Sequence, residues 1–196
     1  MTWTEGLIAG QTPLDPDEAG GLIPAHISFQ AELNEWEQLN IVKGQRWAFR
    51  QKKADWLDEL FVRELHRQMF GATWRWAGVY RNTDKTIGVP SERVSMLVHQ
   101  LLRNTRYQVE NKSFAPDELA VRFHHALVSI HPFPNGNGRH SRMLADLLVT
   151  SLGHSRFSWG GRADLGAAND VRGEYIGALR AADANDFTRL LVFARL

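Results

Sequence analysis

Between positions 131 and 142 the chain reads His131-Pro-Phe-Pro-Asn-Gly-Asn-Gly-Arg-His-Ser-Arg142, setting an imidazole, a glycine-rich turn and two guanidiniums within twelve residues. Pro132 disfavours helical geometry for the residue before it, so the chain should turn at His131 and present its ring. An imidazole at such an exit can take a proton from a hydroxyl. Gly136-Asn137-Gly138 lets the backbone bend and come close to a ligand, and its N–H groups open the next helix, where partial positive charge attracts phosphate. Arg139 and Arg142 stand three apart on one face of that first turn, and their forked donors suit phosphate oxygens. Two cations at a helix start oppose the macrodipole, a conflict that a bound anion would relieve. Taken singly, each feature has a plainer meaning: a helix-terminal histidine, an ordinary turn, two solvated arginines. Together they point to a phosphate-handling site.

Apolar periodicity supplies the elements that must position these residues. Ser28 caps a helix carrying Leu33, Trp36 and Asn40 that ends near Gly44. Asp55 opens a second, with Leu57, Leu60, Phe61, Leu65 and Met69 inward and Gly71 as its stop. A third begins at Ser91 with Val94, Val98, Leu101 and Thr105 aligned, and a fourth at Pro116 with Leu119, Phe123, Leu127 and Ile130 inward. Leu144, Leu147 and Leu148 mark a fifth helix closed by Gly153, Tyr175, Leu179 and Ala182 a sixth, and 187–193 a short last one. Val79 to Pro90, with turn residues Asn82-Thr-Asp84 and Gly88, reads as a β-hairpin. The expected fold is all-α, a helical bundle with one short β-hairpin flap. Residues 1–25, rich in Gly, Pro and Asp, read as an extended leader packed on a single domain of 26–196.

Composition narrows the function classes. The chain has 196 residues with 23 Lys+Arg against 22 Asp+Glu, so it lacks the basic field of a nucleic-acid-coating protein. It has no cysteine, which excludes disulfides, thiolate metal sites and a Cys nucleophile. It shows neither a signal-peptide pattern nor an apolar run of membrane-spanning length, and reads as a soluble, cytoplasmic protein. The adjacent His124 and His125 point in different directions on a helix and make an improbable shared metal site.

The 131–142 run resembles the signature of Fic (Fido) domain proteins, His-x-Phe-x-(Asp/Glu)-Gly-Asn-Gly-Arg-x-x-Arg, with Asn135 at the acidic position. Trp74-Arg-Trp-Ala-Gly-Val-Tyr-Arg81 and the segment after it look like that family's lead-in and target-binding flap. The whole chain is similar to the small Fic proteins called mobile mystery protein B, including Glu32-Leu-Asn-Glu-Trp-Glu-Gln-Leu-Asn-Ile41. The resemblance implies a Fic fold and transfer of AMP from ATP to a protein hydroxyl. His131 would then be the base, and the Gly136, Asn137 and Gly138 amides with the Asn137 side chain would hold the inner phosphates. Arg139 and Arg142 would clamp the outer ones. Lys85, Thr86, Ile87, Gly88 and Val89 would register the target chain. A family carboxylate that holds Mg²⁺ or Mn²⁺ is replaced here by the neutral oxygen of Asn135. That change weakens the metal's grip by about 1–4 kcal/mol for a contact of about 4 Å. Ser28 and Glu32 have the spacing of the family's inhibitory helix, whose glutamate would meet Arg142, though the same stretch reads equally well as a capped helix. Two alternatives stay open: a Fic-fold transferase using another phosphate-bearing donor, and a non-catalytic nucleotide-binding module. The family's association with mobile elements leaves room for an antitoxin-like partner.

Overall fold

The computed structural model describes residues 16–27, 30–51, 55–161 and 170–196; Ser28 and the first part of the leader lie outside these. Among the described residues the regular structure is helical, with no paired strands. The helices are α1 (Pro16–Ala19), α2 (Gln30–Arg50), α3 (Glu59–Phe70), α4 (Val94–Glu110), α5 (Pro116–Ile130), α6 (Asn137–Ser151), α7 (Asp170–Asp183) and α8 (Thr188–Arg195). No helix among them is long and apolar enough to cross a membrane.

α6 is the axis. Met143, Leu144, Ala145, Leu147, Leu148 and Val149 are all buried, so this helix is apolar around most of its circumference, as a central helix must be. α5 packs along it, α2 and α3 cover another side, and α4 and α8 lean on α5. α5 follows its local signals closely: Pro116 stands in the first turn with Asp117 and Glu118 beside it, and His131 ends the helix.

Elsewhere tertiary contacts overrode local signals. α2 does not stop at Gly44 but continues to Arg50. A Cβ on Gly44 would lie 2.7 Å from the Met69 Cγ and 2.9 Å from its backbone, so the glycine serves close approach of α2 to α3 rather than a helix end. α3 starts at Glu59, capped by the Asp58 side chain, which accepts from the Leu60 N–H at 3.0 Å. That start turns Val62, Leu65, Met69 and Phe70 inward and leaves Leu60 72% exposed, against the expected stripe. The helix carries two overlapping apolar stripes, and only its partners choose between them.

The expected hairpin is not formed. Residues 79–90 make an irregular loop whose two arms send backbone N–H groups to the end of α5 rather than pairing as strands. The Arg81 N–H donates to the Pro132 carbonyl at 2.9 Å and the Val89 N–H to the Ile130 carbonyl at 3.3 Å. Behind this loop the leader lies along 73–76: the Ile23 N–H donates to Thr73 and the Arg75 N–H to Gly21, at 2.8 and 2.9 Å.

Buried histidines tie the helices together. The fully buried His140 donates from Nε2 to the Val62 carbonyl at 2.8 Å, joining α6 to α3, and burial pushes its pKa down to about 4. His66 and His124 are pushed below the ordinary value as well, first by burial. A group with a depressed folded pKa binds its proton more readily when unfolded, so stability is complete above about pH 6.5 and falls as pH drops towards 4. His140 alone accounts for about 3 kcal/mol over that window. Asp146, raised to about 6 chiefly by burial, works the other way and offsets part of the loss. The expected result is a urea midpoint that falls between pH 6.5 and pH 4.5, and a level midpoint there would contradict the buried neutral histidines.

Candidate active site

His131 caps α5 in the left-handed conformation, at φ 57° and ψ 61°, with its N–H still bonded to the Leu127 carbonyl at 3.2 Å. The ring is buried and hydrogen-bonded to the Val128 backbone. Burial, then the Arg81 guanidinium and the Lys85 ammonium, push its pKa down to about 4. At neutral pH the imidazole is therefore uncharged, one nitrogen donating and the other carrying a lone pair, which is the form that takes up a proton. A polyphosphate set beside it would raise that pKa by opposite charge and make it a stronger base.

The turn after His131 is held from three sides. Gly136 has φ 79°, and a Cβ there would meet the Phe70 ring at 2.6 Å, so both conformation and space exclude a side chain. The Asn137 amide donates to the Phe133 carbonyl at 2.8 Å and accepts from the Phe133 N–H at 2.9 Å. Buried and doubly bonded, the Asn137 side chain staples the turn at the start of α6. His66 closes the third side. Its Nδ1 accepts from the Gly78 N–H at 3.0 Å, its Nε2 donates to the Asn135 carbonyl at 3.1 Å, and its ring stacks on Phe133 at 3.7 Å. No local pattern marks His66; a lone histidine on an apolar helix face is a common core residue.

The two arginines separate. Arg139 donates to the Glu37 carboxylate at 2.6 Å and sits over the Phe70 ring at 4.9 Å. Glu37, buried on α2, also accepts from the Trp74 indole at 2.7 Å. Arg142 stands over the Tyr175 ring at 5.2 Å. Arg139 of the motif thus meets an acid of α2, Glu37, while Glu32 lies on an exposed position of the same helix. Glu37 had a signal in the sequence: it falls one turn after buried Leu33 and one turn before Ile41, an acid on an apolar stripe. Glu37→Ala would strand the Trp74 donor and the Arg139 charge together. The expected cost is about 1–3 kcal/mol, discounted because Arg139 is partly solvated, and chemical denaturation of both chains checks it.

The residues around Asn135 do not make a metal seat. Its side-chain oxygen accepts from the Gly136 N–H at 2.6 Å, and no group of three His, Asp or Glu side chains converges among the described residues. One neutral, already bonded oxygen is a poor match for a cation that takes carboxylates.

On the flap, Lys85 is buried and paired with Glu18 of the leader, so its ammonium is part of the fold rather than an outward contact. Thr86 and Ile87 are exposed, Val89 is half-buried, and a side chain on Gly88 would strike the His131 Cβ at 2.6 Å. The flap rests directly on the imidazole-bearing residue.

Comparison with known proteins identifies the family. The Fic/DOC family model matches residues 56–149, from the start of the α3 region to near the end of α6. A Fido domain-containing protein of Dictyostelium discoideum is 37% identical over 111 residues, covering 54% of this chain and 71% of that one. This chain belongs to the Fic/DOC family. Among the relatives of this Fic protein, the protein adenylyltransferase Fic of Drosophila grimshawi is 32% identical over 97 residues, 47% of this chain but only 20% of that enzyme's length. The Fic fold extends over nearly the whole chain: the crystal structure of the BepC protein of Bartonella tribocorum, with bound AMPPNP, superposes with TM-score 0.68. It covers 92% of this chain and 97% of that one at 20% identity.

Proposed function

We propose that this Fic protein is a nucleotidyltransferase that moves AMP from ATP to the hydroxyl of a target protein in the cytoplasm, at a rate held down by Asn135. The observation that carries the reading is a neutral, buried His131 at the exit of α5, followed within one turn of chain by the amides that open α6. The AMPPNP bound to BepC, on the same fold, supports a nucleotide as donor.

In this reading the ATP phosphates lie over the α6 amides, with Arg142 at their outer end. The acceptor oxygen attacks the α-phosphorus, the bond to the β-phosphate oxygen breaks, pyrophosphate leaves, and the hydroxyl proton passes to His131. Developing negative charge on the phosphoryl oxygens meets donors that are already in place, which lowers the barrier. Thr86 and Ile87, exposed on the flap over His131, are the positions where an acceptor segment would lie.

Incubation of the purified protein with ATP labelled in the α-phosphate, against lysate proteins, tests the reading; His131-dependent label supports it. Bound nucleotide without label supports the second reading, a nucleotide-binding module, which the Glu37–Arg139 pair and Asn135 favour. Asn135→Asp restores a carboxylate to the turn. The expected result is a half-saturating Mg²⁺ or Mn²⁺ concentration for ATP binding lowered by about fivefold or more, from a gain of about 1–4 kcal/mol. An unchanged metal dependence in that variant would remove Asn135 as the brake.

A further inference from the structure

Arg81 ends the lead-in to the flap, and its side chain is wholly buried. Arginine heads rarely go under without a carboxylate to meet them. Here Asp84 is 4.0 Å away and 71% exposed, and the donors go instead to main-chain carbonyls. Nε donates to His131 at 2.6 Å, one terminal nitrogen to Thr83 at 2.9 Å, and the other to Val89 and, at 3.4 Å, to Ile130. Ile130 and His131 are the carbonyls that the end of α5 leaves without helical partners, so a cation there satisfies them and complements the helix dipole. Thr83 and Val89 belong to the two arms of the flap.

The geometry points to Arg81 as the positioning residue of this site: one guanidinium binds both arms of the 79–90 loop and the His131 exit, and so makes the surface that receives an acceptor chain and the base beneath it a single unit. The inference rests on the reading of His131 as base, and it explains why no hairpin is needed. The two arms are registered against the end of α5 and by the guanidinium between them rather than by a strand ladder. Lys85 is the second cation facing His131, while Glu18 and Asp84 are the acids behind the pair.

The test compares Arg81→Lys and Arg81→Gln with the unaltered chain by amide exchange and by NMR titration of the His131 ring. The expected result is faster exchange at the Val89 N–H, by about tenfold or more relative to α6 amides, as loss of a charged hydrogen bond allows. The His131 midpoint rises in Arg81→Gln and moves less in Arg81→Lys, which keeps the charge but not the fork. Exchange that quickens equally in flap and helices, with the His131 midpoint unmoved, would reduce Arg81 to a packing residue and overturn the inference. Should Arg81→Gln not fold, Arg81→Lys carries the test, and unaltered Val89 exchange in it is equally fatal. Neither readout depends on nucleotide transfer, so absence of label in the unaltered protein would defeat the proposed function without touching these measurements.

Discussion

If the proposed transfer holds, replacing His131 by alanine is expected to lower transfer of labelled AMP by about 10²–10⁴-fold, the contribution of a general base, while ATP binding measured by calorimetry changes little. The separation follows from the geometry. In the proposed reading the phosphates meet the start of α6, whereas the imidazole belongs to the end of α5, so removing the ring leaves that turn intact. The pH profile carries a second part of the same expectation. For kcat/KM, which reports the free enzyme, the acid limb lies near pH 4, where His131 becomes protonated. For kcat it moves to higher pH, because bound polyphosphate favours the imidazolium. Acid limbs that coincide would show that no anion sits beside His131 in the complex. A His131→Ala protein that transfers label as well as the unaltered chain would remove the base from the mechanism altogether.

Gly136→Ala is expected to be strongly destabilising. The left-handed conformation costs a non-glycine residue about 1–2 kcal/mol, and overpacking against a fixed ring about 1–3 kcal/mol more. Phe70 cannot easily yield, since it is buried, its ring packs on His66 at 4.7 Å, and Arg139 lies over it. A loss of roughly 2–5 kcal/mol lowers Tm by roughly 5–15 °C for a chain of this size, readable by calorimetry. ATP affinity falls with it, because the same turn aims the α6 amides. Combining Gly136→Ala with Phe70→Leu separates the two causes: the steric share is recovered and the backbone share is not. Full additivity of the two substitutions would mean that the ring and the glycine do not meet.

These expectations rest on residues whose importance was unequally visible beforehand. The amino-acid sequence alone determined the turn at His131, the glycine at the start of α6 and the limits of α5, because φ restriction before proline, positive φ at glycine and the first-turn proline act over one to four residues. It also carried the family signature, whose residues are contiguous. What it could not decide were partnerships across long separations. Glu37 and Arg139 are 102 positions apart, His66 and Asn135 69, Arg81 and His131 50. Periodicity says which face of a helix is apolar, but not which of two overlapping stripes in α3 meets α6, nor that Gly44 continues a helix to let another backbone in. The Val79–Pro90 segment has the composition of a hairpin and becomes a flap without strands because Arg81 offers its arms a better set of bonds at the end of α5. Short-range sterics can be read from neighbouring letters. The assignment of each buried charge to its partner exists only once the helices have packed.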